Sequence, residues 1–186
     1  PEQVREVFGR YRDSPTFEES SRLLAQGQLP AEMLQAMCLR PEILDAFAAT
    51  GAGVYPGGLL ERPLQEVILR SSQNNECQFC TNAHRSIMGM LGIPQAQIEE
   101  LDNPAHLTPR ERLALDYTDA AMADSNRIDE ALFEQLRGHF SDPEIVELTF
   151  LVGFINLLNL FNNALRVTYR GEYVAADEDD KREEST

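Results

Sequence analysis

Apolar residues along this chain recur every three or four positions, the spacing of one helix face. No run alternates β-branched with polar residues for long enough to require a strand. The pattern predicts helices nearly throughout. Phe17 to Gln26 is a first amphipathic segment. Pro30 precedes a helix over Ala31 to Leu39, and Pro41 one over Glu42 to Thr50, proline being tolerated in a helix's first turn. "GAGVYPGG", Gly51 to Gly58, reads as a loop. Pro63 opens a helix carrying Leu64, Val67 and Ile68 as far as about Ser72, which the polar "SSQNNE" interrupts. The next helix starts near Cys77 or Gln78 and runs to Leu91, with Gly92 as its C-terminal cap, and Pro94 begins a short one to about Leu101. "TPRE", Thr108 to Glu111, is a capping box, and "SDPE", Ser141 to Glu144, offers Ser141 or Asp142 as a cap. From Glu144 the helical pattern continues to about Tyr169.

No repeat and no linker divides this series, so residues 1–174 are expected to form one domain. The tail from Ala175 to Thr186 has six acids, two bases and no large apolar residue, and is expected to stay disordered. The 186 residues suffice for a core without staples, and the hydrophobic (42%) and charged (25%) fractions are those of a globular chain. The net charge of −15 repels phosphates and anionic lipid, which sets nucleic-acid and membrane roles aside. The longest apolar stretch, near Phe150 to Leu160, is broken by Gly153, Asn156 and Asn159 and reads as a core helix rather than a span. With no basic-then-apolar leader and only three cysteines, the expected location is the cytoplasm, where a close cysteine pair is catalytic or metal-binding more often than structural.

That pair lies in "ECQFCTNAH". Cys77 and Cys80 are one helical turn apart, and His84 lies four residues beyond Cys80 on the same face. At a helix start the orphan N–H groups and the dipole favour a Cys77 thiolate, whereas a histidine at i+4 can take the proton of Cys80. Cys80 is the expected reactive sulfur on the second ground. A structural zinc site wants a fourth ligand. The available one, Cys38, sits on the apolar helix face of "EMLQAMCLR" and reads as a small hydrophobe. A structural disulfide here would close a tiny loop and stabilise little. The remaining reading is redox work, a nucleophile with its own base and resolving thiol.

The motif, together with "LQEVILRSSQNNECQFCTNAHRSIMGMLGIPQAQIEEL" around it and the downstream "PRERLALDYTDAAM" and "ELTFLVGFINLLNLFNNAL", resembles the carboxymuconolactone decarboxylase superfamily on its alkyl hydroperoxidase D (AhpD-like) and peroxidase-related branch. The resemblance covers most of residues 30–168. It implies an all-α fold, an AhpD-like bundle of about eight helices with an antiparallel helical hairpin carrying the CxxC motif, assembled as a dimer, trimer or hexamer. It implies reduction of hydroperoxides through the cysteine pair, with a histidine and a glutamate as proton relay. No cofactor is bound; electrons come from an external dithiol donor protein, lipoyl- or thioredoxin-like. The relay glutamate of the pattern falls twelve positions before the first cysteine, where this chain has Gln65, with Glu66 beside it. An amide hydrogen-bonds but carries no proton at neutral pH. A one-residue slip would bring Glu66 into the role. Where related peroxidases carry a further histidine between the cysteines, Phe79 stands here, implying a less polar pocket.

The site expected from these residues is therefore Cys77, Cys80, His84 and Glu66, with Gln65 and Phe79 as neighbours. His106 and His139 fall at a loop and a helix end and read as structural. Tyr117 and Phe154 read as core or interface aromatics. Asn156 and Asn159, sharing a face of the last helix, and Asn162 and Asn163 beyond them, could contact the active site, and are expected rather to bond buried backbone or a neighbouring subunit. Two other activities fit the same residues, a decarboxylase-like lyase using His84 and Glu66, and a thiol redox sensor without turnover.

Overall fold

The computed structural model describes residues 2–54, 58–61, 64–65, 69–90, 92–99, 105 and 107–171. Among these, every regular element is a helix. In chain order they are α1 (Glu2–Tyr11), α2 (Pro15–Ala25), α3 (Glu32–Met37), α4 (Pro41–Gly53), α5 (Leu69–Asn74), α6 (Gln78–Met90), α7 (Gln95–Glu99), α8 (Pro109–Asp124), α9 (Glu130–Arg137) and α10 (Asp142–Leu165), with a 3₁₀ turn at Ser125–Arg127. The expected all-α fold is the observed one. The tail, His106, Glu66 and the Tyr55–Gly57 part of the expected loop lie outside the described residues.

The fold is organised around α10. Its start is set by the Ser141/Glu144 capping box, in which the Ser141 N–H and hydroxyl both donate to the Glu144 carboxylate at 2.7 Å, with Pro143 in the first turn. These bonds and Arg110, 2.6 Å away, hold the Glu144 carboxyl at about 2, well below the usual range. Ile145, Leu148, Leu151, Val152, Ile155 and Leu158 form the helix's buried stripe, which packs on α5, α6, α8 and α9. An aromatic series continues the core towards the N-terminal helices: Phe8 meets Phe17 at 5.3 Å, Phe17 meets Phe47 at 6.0 Å, and Phe47 stacks on Phe154 at 6.0 Å between ring centres. Tyr117 is buried, its hydroxyl 2.7 Å from Thr149 Oγ1, so both aromatics singled out from the sequence belong to the packing.

Four boundaries differ from expectation, each for a local reason. Helix α1 precedes the first expected segment; its Val7 and Phe8 are buried against the core. Helix α4 continues through Gly51 to Gly53, carrying Gly51 into the interior. The polar "SSQN" is helical, and the break falls at Asn75 and Glu76. There the Glu76 N–H bonds the Gln73 carbonyl at 3.0 Å and the Cys77 N–H reaches back to the Ser72 carbonyl at 2.9 Å, a glycine-type cap with Glu76 at φ 52°. Finally α10 stops at Leu165 rather than near Tyr169. Arg166 turns left-handed (φ 55°), and the N–H groups of Arg166 and Val167 close on the Asn163 and Asn162 carbonyls at 3.2 and 2.9 Å. Residues 167–170 then run as an irregular strap, with the Thr168 N–H on Glu32 at 2.7 Å.

The segment Gly58–Leu60 is moored on α10 by one carboxylate. Glu147 accepts the Leu59 N–H at 2.6 Å and the Leu60 N–H at 2.9 Å. A Cβ on Gly58 would overlap that carboxylate, so a larger residue there would displace it from the two N–H groups. Gly58→Ala is expected to lower the melting temperature in the wild-type background and to cost clearly less when combined with Glu147→Ala, which removes the colliding group. Equal costs in both backgrounds, measured by thermal circular dichroism, would show that the carboxylate does not set the requirement.

Candidate functional site

Where α5 hands over to α6, the chain turns through Asn75 and Glu76 and delivers Cys77 to the N-terminal end of α6. The Cys77 carbonyl takes the first helical bond, from the Thr81 N–H at 2.9 Å, and the Cys77 sulfur accepts the Cys80 N–H at 3.4 Å. The Cys77 side chain thus occupies the capping position, where a negative sulfur satisfies an orphan N–H. The two sulfurs lie 2.7 Å apart and share a hydrogen bond, both thiols being free.

The turn is held from the other side by asparagines of α10. Asn75 Nδ2 donates to Asn156 Oδ1 at 2.7 Å and to Asn159 Oδ1 at 3.0 Å, and Asn163 Nδ2 donates to the Asn75 carbonyl at 2.9 Å. Asn159 Nδ2 donates to Ser72 Oγ at 3.0 Å. One turn further, Asn162 Nδ2 donates to Cys80 Sγ at 3.2 Å and to Met33 Sδ at 3.4 Å, while its Oδ1, fully buried, has no partner. Of the four, only Asn163 meets the expected backbone. Asn156, Asn159 and Asn162 meet the side chains of the dithiol turn, the less preferred of the places their sequence position allowed. The available signal was the repeated three-residue spacing on a helix whose neighbouring positions are apolar.

Charge is divided unequally between the thiols. The hydrogen bond from Cys80 brings the Cys77 thiol down to about 7, against the opposing effect of burial, with help from the Cys80 N–H, the Asn159 amide and the positive charge of His84. The same shared bond, burial and the neighbouring Cys77 charge push Cys80 strongly up, partly offset by the Asn162 and Asn159 amides. Cys77 therefore ionises first and Cys80 keeps its proton as the donor. The direction of these shifts favours Cys77, the sulfur at the capping position, as the thiolate.

Cys77, Cys80, Phe79 and His84 are all buried, so the site is a closed one. The Phe79 ring packs edge-on to Tyr169 at 5.9 Å, and the Tyr169 hydroxyl lies 2.8 Å from Ser86 Oγ, so the strap after α10 lies over α6. Gln65 is buried, its Nε2 committed to the Val54 carbonyl at 3.0 Å and its Oε1 without a partner. Cys38 is half-buried and packs against the core, as a small hydrophobe would. His139 is exposed just beyond α9, its carbonyl accepting from Arg110 at 2.6 Å, a structural place.

The family model for the carboxymuconolactone decarboxylase family matches residues 41–120, from α4 through the dithiol into α8. An uncharacterised Escherichia coli protein, YnjA, is 31% identical over 125 residues, covering 61% of this chain and 69% of its own length. The chain belongs to the carboxymuconolactone decarboxylase family. Among solved structures, an uncharacterised peroxidase-related protein from Silicibacter sp. TM1040 superimposes with a TM-score of 0.74 at 24% identity, over 93% of this chain and 87% of that one, a likeness of fold. A protein of unknown function from Agrobacterium tumefaciens, whose given name proposes an AhpD antioxidant-defence role, is 30% identical with a TM-score of 0.65, over 73% of this chain and 95% of its own. In this family member the helix expected to carry the motif and the helix that faces it are both in place.

Because the Cys80 thiol is the largest cause of the Cys77 shift, Cys80→Ala is expected to raise the Cys77 pKa from about 7 towards the ordinary thiol range. The ultraviolet absorbance of the thiolate, followed against pH in wild type and variant, checks this. An unchanged midpoint would mean that the shared hydrogen bond does not ionise Cys77.

Proposed function

We propose that the protein is a thiol-dependent peroxidase of the AhpD type, reducing hydroperoxides through Cys77 and Cys80. The observation that carries the reading is the buried dithiol, with one sulfur prepared as a thiolate and the other as its proton-bearing neighbour. The Cys77 thiolate attacks the outer peroxide oxygen. The O–O bond breaks, the sulfur becomes a sulfenic acid, and the leaving alkoxide takes a proton from the His84 imidazolium. Cys80 then attacks the Cys77 sulfur; its own proton leaves with the hydroxyl as water, and a Cys77–Cys80 disulfide remains. An external dithiol, lipoyl- or thioredoxin-like, restores both thiols and becomes a disulfide in turn.

Asn162 serves two of these steps. Its Nδ2 stabilises the developing Cys80 thiolate, and its unpartnered Oδ1 accepts the O–H of the hydroperoxide or sulfenic acid. Gln65, with its amide fixed on Val54, does not carry protons, so the carboxylate half of a relay to His84 falls to Glu66. The apolar Phe79 between the cysteines suits organic hydroperoxides better than hydrogen peroxide. A reducing cytoplasm, where dithiol donors are kept reduced, suits such a cycle.

The test separates the sulfurs. Cys77→Ser is expected to abolish peroxide consumption, and Cys80→Ser to give one turnover, ending at a sulfenic acid on Cys77 that a dimedone-type probe traps. Asn162→Leu is expected to slow disulfide closure roughly 10–100-fold, the weight of one hydrogen bond to a charged group. Full peroxide turnover in Cys77→Ser would overturn the reading, and an adduct confined to Cys80 would reverse the roles.

A further inference from the structure

Asn162 stands between two sulfurs. Its Nδ2 donates to Cys80 Sγ at 3.2 Å and to Met33 Sδ at 3.4 Å, and its buried Oδ1 has no partner. Asn162 is 1% exposed and Met33 6%, so bulk water does not compete for either. The two ends of a carboxamide have nearly the same shape, and a half-turn about the last side-chain bond exchanges them. Packing alone therefore does not decide whether nitrogen or oxygen faces Cys80.

Neither Cys80 nor the far side of the amide decides it. A thiol accepts weakly from an N–H and donates weakly to an oxygen, so Cys80 tolerates both ends. On the far side no described group bonds Oδ1, so no bond is lost there when the ends exchange. The thioether of Met33 is different, because it has no proton. It accepts from Nδ2 and has nothing to offer Oδ1. Of the described groups bonded to this amide, Met33 is the one that distinguishes its ends.

The orientation matters for Cys80. With Nδ2 towards the sulfur the amide favours a Cys80 thiolate; with Oδ1 there it would take the thiol proton and oppose ionisation. In the resting dithiol, the shared bond with Cys77 and the Cys77 charge keep Cys80 protonated. Once the Cys77 sulfur is bonded to another atom, its charge is gone, and Cys80 must lose its proton to attack. The amides of Asn162 and Asn159 are then the donors that favour the Cys80 thiolate. The strap after α10 fixes the backbone on both sides of this contact. Its Val167 N–H bonds the Asn162 carbonyl at 2.9 Å, and its Thr168 N–H bonds Glu32, the neighbour of Met33, at 2.7 Å. Thioether and amide are thereby held in register.

We infer that Met33 is a positioning residue for the dithiol: its thioether holds the nitrogen end of Asn162 on Cys80 and so speeds disulfide closure. The inference rests on the reading of Cys80 as the resolving sulfur. Its test uses no peroxide, so a failure of peroxidase activity leaves it readable. Methyl methanethiosulfonate is small enough for a closed site. The Cys77 thiolate attacks its sulfenyl sulfur, the methylthio group is transferred and methanesulfinate leaves. Cys80 then attacks the Cys77 sulfur; methanethiol leaves with the Cys80 proton, and the Cys77–Cys80 disulfide remains. Intact-mass spectrometry of acid-quenched samples follows the adduct and its decay. Met33→Leu keeps the volume and removes the acceptor. It is expected to slow the decay roughly 3–10-fold, the weight of one ordinary hydrogen bond, and to move the midpoint of its pH profile upwards. In an Asn162→Leu background the same substitution is expected to slow the decay no further. Met37→Leu, at a buried position one turn along α3, is expected to leave it unchanged. A wild-type decay rate in Met33→Leu, a slowing without a shift of the midpoint, the full slowing repeated in the Asn162→Leu background, or an equal slowing in Met37→Leu would each overturn the proposal. An adduct on Cys80, found by peptide mapping, would overturn the roles of the two sulfurs and this proposal with them.

Discussion

The contact on which the rest depends is the carboxamide row of α10 against the turn between α5 and α6. The turn carries polar side chains and carbonyls that an apolar neighbour would leave unpaired. Here Asn75 is bonded three times to α10, Ser72 takes the Asn159 amide, and Cys80 takes the Asn162 amide. Packing of the apolar stripe brings α10 to this place; the amides decide the register at which it stops. A slip of one residue along α10 would turn the amides aside and bring apolar side chains against the polar turn.

A thiolate can exist in this interior chiefly because of the neighbouring thiol. Burial opposes ionisation at Cys77, and the hydrogen bond from Cys80 outweighs it, with smaller help from the Cys80 N–H, the Asn159 amide of α10 and the charge of His84. Enclosure also limits access. The Phe79 ring of α6 is covered by Tyr169, and the strap holding Tyr169 is tied through Thr168 to Glu32 of α3.

Much of this was legible from the chain. Capping boxes at Thr108 and Ser141 announced two helix starts because each is a local bargain between residues three apart, complete within the segment. The cysteine spacing placed the dithiol on the right helix for the same reason. What was not legible depended on distant partners. The polarity of "SSQN" suggested a break, but Ser71 and Ser72 are buried, and Ser72 receives an amide from 87 residues away. The end of α10 was overrun because nothing in "LRVTY" forbids a helix. Arg166 takes a left-handed conformation that glycine would have signalled. The sequence weighs the i+4 histidine against the helix start but does not show the hydrogen bond between the two sulfurs, which is the largest influence on both.

Cys77 is at once the proposed nucleophile and the cap of α6. While reduced, its sulfur accepts the Cys80 N–H and helps close the helix's first turn. In a disulfide it loses its charge and most of that capacity. The free energy of the cap is therefore present in one redox state and absent in the other. A couple whose reduced form is favoured in this way is a stronger oxidant than the same two cysteines in an unfolded chain. In the proposed cycle, the cap at the start of α6 thereby sets how readily the oxidised pair gives up its bond to the reducing dithiol.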